Sequence, residues 1–127
     1  MRHLDESNQA RGRLAEAYDR AFAELALGLP GRRAGASHVF HLYVVTSDQR
    51  NELQQWLKER GIGALIHYPV PIHLQPAYVK RLNRPGKLKV TEKLAKTVLS
   101  LPIYPELTDD DQNKVIEAVR GFFMAHQ

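Results

Sequence analysis

The chain has no cysteine. That excludes disulfides, thiolate nucleophiles and cysteine-based metal sites. It also lacks a uniform apolar run long enough to span a bilayer. No apolar stretch resembling a signal peptide follows the opening Met1-Arg2-His3-Leu4-Asp5-Glu6. There is no internal repeat and no low-complexity tail. A cytoplasmic protein, with no membrane partner, is expected on these grounds. Charge of one sign is scarce as well: 18 Lys+Arg stand against 14 Asp+Glu, a net charge of +4. So mild an excess permits nucleic acid, phosphate-bearing ligands or an acidic partner, and compels none of them.

What is present is an ordinary globular balance, 43% hydrophobic and 25% charged over 127 residues. That length suits one domain with one modest core. Leu14, Tyr18, Phe22 and Leu25 recur at helical spacing, which predicts a helix from residue 4 to about residue 27, punctuated by Pro30 and Gly31. His38–Val45, rich in aromatic and β-branched residues, reads as a strand. Thr46, Ser47 and Asp48 offer N-caps for the next helix, with Thr46 and Gln49 at capping-box spacing. Leu53, Trp56 and Leu57 form that helix's apolar face, and Gly61 sits where a left-handed C-terminal residue is expected.

Ile62–Tyr68 reads as a second strand, ended by Pro69; Pro69 and Pro71 bracket a stiff extended segment. A long loop follows from His73 to Val90, with a short helical turn at Pro76-Ala77-Tyr78. Thr91–Leu99 predicts a helix, and Leu99–Pro105 a short strand whose Pro102 suits an edge or a strand end. Thr108 and Asp111 match a capping box for a final helix. Asp109, Asp110 and Asp111 lie in its first turn, where negative charge complements the helix dipole. The predicted class is α+β, a small, mostly antiparallel sheet of about three strands covered by helices.

Three stretches share the order and spacing of one family. They are Ile66–Tyr78 (Ile-His-Tyr-Pro-Val-Pro-Ile-His-Leu-Gln-Pro-Ala-Tyr), Glu92–Ala95 through Leu99–Thr108, and the opening Leu4-Asp5-Glu6 with Asn8, Arg11, Arg13 and Tyr18. His41-Leu42-Tyr43 and Arg50-Asn51-Glu52-Leu53 also fit. Together they resemble the C-terminal small domain of the DegT/DnrJ/EryC1/StrS family of sugar aminotransferases, over essentially the whole chain. One departure is Lys89, where the family often shows proline.

The resemblance implies a fold like the C-terminal domain of fold-type-I pyridoxal phosphate (PLP) enzymes. It implies an activity, in the full-length enzyme, that moves an amino group, typically from glutamate, to a keto group on a nucleotide-linked sugar. The cofactor there would be PLP, the oligomer a homodimer, and the missing partner a large PLP-binding domain. That domain carries the Schiff-base lysine in a Ser-Phe-containing segment, and no such segment occurs here. Lys58, Lys80, Lys87, Lys89, Lys93, Lys96 and Lys114 all read as solvated, not as apolar-set nucleophiles. The chain alone is therefore expected to hold no cofactor and to catalyse nothing. It leaves open whether the chain is an expressed fragment, a truncated gene or one piece of a split enzyme, and Met1 does not decide this. Two alternatives remain, a PLP-dependent sugar dehydratase of the same family and a non-catalytic regulatory or nucleic-acid-binding module. Three aspartates opening the final helix argue against docking its N-terminus on phosphates.

The main site candidate is the His67–Gln75 segment. On the residues alone, its prolines set a turn and its aromatics pack. The resemblance implies instead that it faces the active site, with His67, Tyr68, His73 and Gln75 as substrate-facing groups able to hydrogen-bond hydroxyl or phosphate oxygens. A zinc reading of His67 and His73 fails for want of a third ligand, with no acidic or cysteine partner nearby in sequence. His38 and His41 fall on opposite faces of the first predicted strand and read as structural. Lys80, Arg81, Arg84, Lys87 and Lys89 form a basic loop. It reads either as an attractor of a pyrophosphate-bearing substrate or nucleic acid, or as a solvated loop.

Overall fold

The structure is a computed structural model and describes residues 3–79, 81 and 88–126. Helix α1 (Leu4–Phe22) buries Leu14, Ala15, Tyr18 and Phe22, the stripe its spacing predicts. It stops at Phe22, short of the expected residue 27, because the chain beyond it is drawn to the sheet. Gly28 and Thr46 exchange two backbone hydrogen bonds of 2.8 Å. A β-carbon at Gly28 would stand 2.1 Å from Thr46 Oγ1, so only glycine fits this approach.

Strands β1 (Tyr43–Thr46) and β2 (Val98–Leu101) pair antiparallel, with Tyr43 opposite Leu101 and Val45 opposite Leu99. These four side chains face the core, none more than 3% exposed. By alternation Val44, Thr46, Val98 and Ser100 share the other face. The fold is α+β as expected, and among the described residues the sheet has two strands where about three were expected. Over Ile62–Tyr68 only Leu65 pairs, in a single bridge to Ser100. Gly63 and Pro69 bound too short a run for a ladder to extend.

The first predicted strand also begins late, at Tyr43 instead of His38. Phe40 takes a left-handed backbone conformation, φ +47°, which breaks the extended run. Its ring turns into the core, with the His38 ring centroid 4.3 Å away and the Arg32 guanidinium 4.7 Å above it. The Phe40 N–H donates to His38 Nδ1. The alternation argued for His38 and His41 therefore does not apply, and both side chains are exposed.

Helix α2 (Arg50–Glu59) packs through Leu53 and Leu57, and Gly61, at φ +72°, ends it as expected. The Thr46–Gln49 capping box does not form, since Thr46 is occupied in β1; of the other candidates, Ser47 Oγ accepts the Gln49 N–H just before the helix. The short helix α3 (Pro76–Val79) confirms the predicted turn, and α4 (Lys89–Thr97) starts two residues earlier than Thr91. The buried Arg50 guanidinium donates to the carbonyls of Val98 and Ala95, at the C-terminal end of α4, where the helix dipole is negative. Helix α5 (Asp109–Ala125) is capped as predicted, the Asp111 N–H donating to Thr108 Oγ1 at 3.2 Å. It is tied to α2 by the Trp56 indole, which donates to the Ala118 carbonyl at 2.9 Å, and to α1 by Gln112. The core thus lies between α1, α2, α5 and one sheet face. The other sheet face looks toward α4 and the segment carrying the site candidates. No described helix is long and apolar enough to cross a membrane.

Candidate functional site

Pro69 and Pro71 hold the chain extended as it leaves the Leu65 bridge. The turn Ile72–Leu74 and helix α3 then fold it back beside α4. The result is a cleft of about 340 Å³ between this segment, α4 and β2. His67, Tyr68 and Gln75 line it on one side, and Thr91, Leu94 and Val98 on the other. Three of the four sequence-predicted site residues are thus brought together. Tyr68 is 73% exposed.

His73 is not in the cleft wall. Its Nε2 lies 3.3 Å from Glu92 Oε1, which also accepts the Leu88 N–H at 3.0 Å. It therefore pins the turn to the start of α4. His67 is held differently, with Nδ1 2.9 Å from Ser100 Oγ. Sequence reasoning missed both partners. Glu92 stands 19 positions from His73 and Ser100 33 from His67, so no local signal joins them. An acidic group does lie beside His73, contrary to the expectation from sequence proximity. Among the described residues no cluster of three metal-ligating side chains exists.

Among the described residues no lysine, arginine, aspartate or glutamate lines the cleft. Its polar groups are an imidazole, a phenol, a carboxamide and a hydroxyl, which suit hydroxyl and carbonyl oxygens. Of the predicted basic loop, Lys80, Arg84 and Lys87 lie outside the described residues. Arg81 is exposed, and Lys89 is the exposed first residue of α4. Of the apolar cleft lining Val70, Ile72 and Leu94 are exposed, Ile72 by 68%, and Val90, next to the lining residue Thr91, is exposed by 73%. Apolar area of this kind on a small domain marks a contact face.

The elements form a small antiparallel sheet covered by helices, an α+β fold with a cleft beside the sheet. The profile of the DegT/DnrJ/EryC1/StrS aminotransferase family matches residues 1–120, and the chain belongs to that family. It is 43% identical over 121 residues to a dTDP-3-amino-3,4,6-trideoxy-alpha-D-glucose transaminase of Streptomyces venezuelae, covering 94% of this chain and 32% of that protein. It is 40% identical over 124 residues to a pleiotropic regulatory protein of Geobacillus stearothermophilus, covering 95% of this chain and 33% of that protein. The crystal structure of S. venezuelae DesV in complex with a ketimine intermediate superposes with a TM-score of 0.90 at 43% identity, over 94% of this chain and 33% of that one. The chain spans about a third of the length of the curated relatives it matches.

Proposed function

We propose that this chain forms one wall of the substrate cleft in a PLP-dependent aminotransferase acting on a nucleotide-linked keto sugar. Its single strongest support is the cleft itself, with His67, Tyr68 and Gln75 converging on one opening in a chain of this family. Hydroxyl and carbonyl oxygens of a sugar ring suit this neutral lining, while a phosphate would need cationic groups from elsewhere. His73 serves the same cleft indirectly, by holding the Ile72–Leu74 turn against Glu92.

Pyridoxal phosphate supplies the electron sink for amino transfer when bound. The described residues do not fit it by themselves. Among them Lys58, Lys89, Lys93, Lys96 and Lys114 are all exposed, and no described lysine or arginine lines the cleft. The lysine and the phosphate cradle are assigned to a large domain, packed on the apolar face around Ile72 and Val90. The full enzyme is taken to be a cytoplasmic homodimer, and a dehydratase of the same family would use the same wall.

Intact-mass analysis after incubation with PLP and borohydride, with excess free lysine as competitor, tests this division. No stoichiometric adduct should survive the competitor. Selective, stoichiometric labelling of one lysine would show that the chain anchors cofactor itself. Adding the large domain of the Streptomyces venezuelae relative should then restore a glutamate half-reaction. A mixture that neither associates nor reacts counts against the reading.

A further inference from the structure

Ser100 is an unusual occupant of its position. It is 5% exposed, and its backbone N–H and carbonyl are both engaged by Leu65, at 2.8 and 3.1 Å. Its neighbours Leu99 and Leu101 point into the core, so Ser100 points to the cleft face with Val98. His67 lies two residues beyond Leu65, on the same side of that extended segment, and its Nδ1 meets Ser100 Oγ at 2.9 Å. Among the described residues, Ser100 Oγ has no other partner and His67 Nε2 has none.

That bond can be made in two ways. If Nδ1–H donated to the serine, the serine's own hydrogen would be left buried without an acceptor, which is costly. If the hydroxyl donates to Nδ1, both groups are satisfied and the ring proton resides on Nε2. We infer that Ser100 is a positioning residue: its hydroxyl donates to His67 Nδ1, fixing the Nε2–H tautomer and presenting that N–H to the cleft as a donor for a substrate oxygen. The backbone clamp at Leu65 holds the serine still while it does so. The tautomer stands on the geometry alone; the use of the donor rests on the substrate-facing reading above.

The test is a side-chain ¹⁵N–¹H correlation spectrum of His67 in the 127-residue chain, in mildly alkaline buffer, for the native protein, Ser100→Ala and Ser100→Thr. The native chain should show the Nε2–H tautomer, Ser100→Ala should shift toward a mixture, and Ser100→Thr should restore it. A native ring in the Nδ1–H form, or a spectrum indifferent to Ser100→Ala in a folded protein, overturns the inference. If Ser100→Ala does not fold, the native spectrum alone decides the tautomer, and Ser100→Cys, whose S–H is a weak donor, tests its dependence on the hydroxyl by the same shift toward a mixture. In enzyme reassembled with a large domain, Ser100→Ala should raise KM for the keto sugar by about tenfold with kcat little changed, the scale of one hydrogen bond. A tautomer that follows Ser100 while KM stays constant supports the positioning role and overturns the substrate-facing reading of His67.

Discussion

The hydroxyl of Tyr18, on α1, donates to the carbonyl of Pro102 at 2.8 Å across 84 positions of sequence. Its ring is fully buried against Phe22 and Tyr43. Pro102 ends β2, so this one bond fixes where the strand leaves the sheet relative to the first helix. Burial, with a smaller contribution from Tyr104, pushes the Tyr18 phenol well above its ordinary range. Burial and the hydrogen bond to Asp19 do the same to Tyr43.

Both phenols therefore keep their protons in the folded state at pH values where an unfolded chain would lose them, above about pH 10. Stability should be fully present below that point and fall as pH rises beyond it, by up to ~1.4 kcal/mol per pH unit for each phenol. Urea midpoints measured from about pH 8 to about pH 11 read this directly. Tyr43→Phe should cost about 1 kcal/mol at neutral pH and flatten the alkaline fall. An unchanged slope in that variant would show that Tyr43 is not a contributor.

Gly28→Ala should destabilise the chain by roughly 1–3 kcal/mol, because its new β-carbon meets Thr46 Oγ1. Thr46→Ala removes that obstacle, so the double variant should recover part of the loss. Strict additivity in the double-mutant cycle would mean that the clash is not the cause.

Thr108→Ala removes the acceptor of the Asp111 N–H and should cost about 1 kcal/mol by thermal or chemical unfolding. Thr108→Ser should cost much less. The Asp111 carboxylate, held below its ordinary range by Lys114 and Thr108, is surface-exposed and adds little to this figure.

In reassembled enzyme Gln75→Ala should lower kcat/KM for the keto sugar about tenfold with little change in stability, its side chain being half-exposed in the cleft. Glu92→Gln should instead loosen the Ile72–Leu74 turn, which hydrogen exchange at the Leu74 and Gln75 amides would register. Equal kinetic effects from both changes, without altered exchange, would remove the distinction drawn between Gln75 and His73.

The helices were legible because their signals are local. The 3.6-residue stripes of α1 and α5, the Thr108–Asp111 cap and the left-handed Gly61 lie within a few residues of what they determine. The sheet was less legible. Nothing around His38–Leu42 announces that Phe40 will turn left-handed to put its ring in the core, and a run of aromatic and β-branched residues reads as strand whether or not it pairs. The cleft was half legible. The His67–Gln75 segment stood out by its resemblance, yet the residues that orient it, Ser100 and Glu92, come from elements placed beside it only by the fold. The alternation of Leu99 and Leu101 around Ser100 was a usable hint, since a polar residue between two core leucines must face the other way.

The pairing of Thr46 with Val98 and the bond from Gln112 to the Leu14 carbonyl have a kinetic consequence. Contacts of such reach are slow to form, because much of the intervening chain has to be gathered first. A ribosome must release nearly all of this sequence before α5 can close the core. Once closed, the packing of α5 against α1 and α2 would hold the pieces together if the backbone were nicked in the stretch between Ile72 and Val90, so a protease cut there should leave a complex that still sediments as one body.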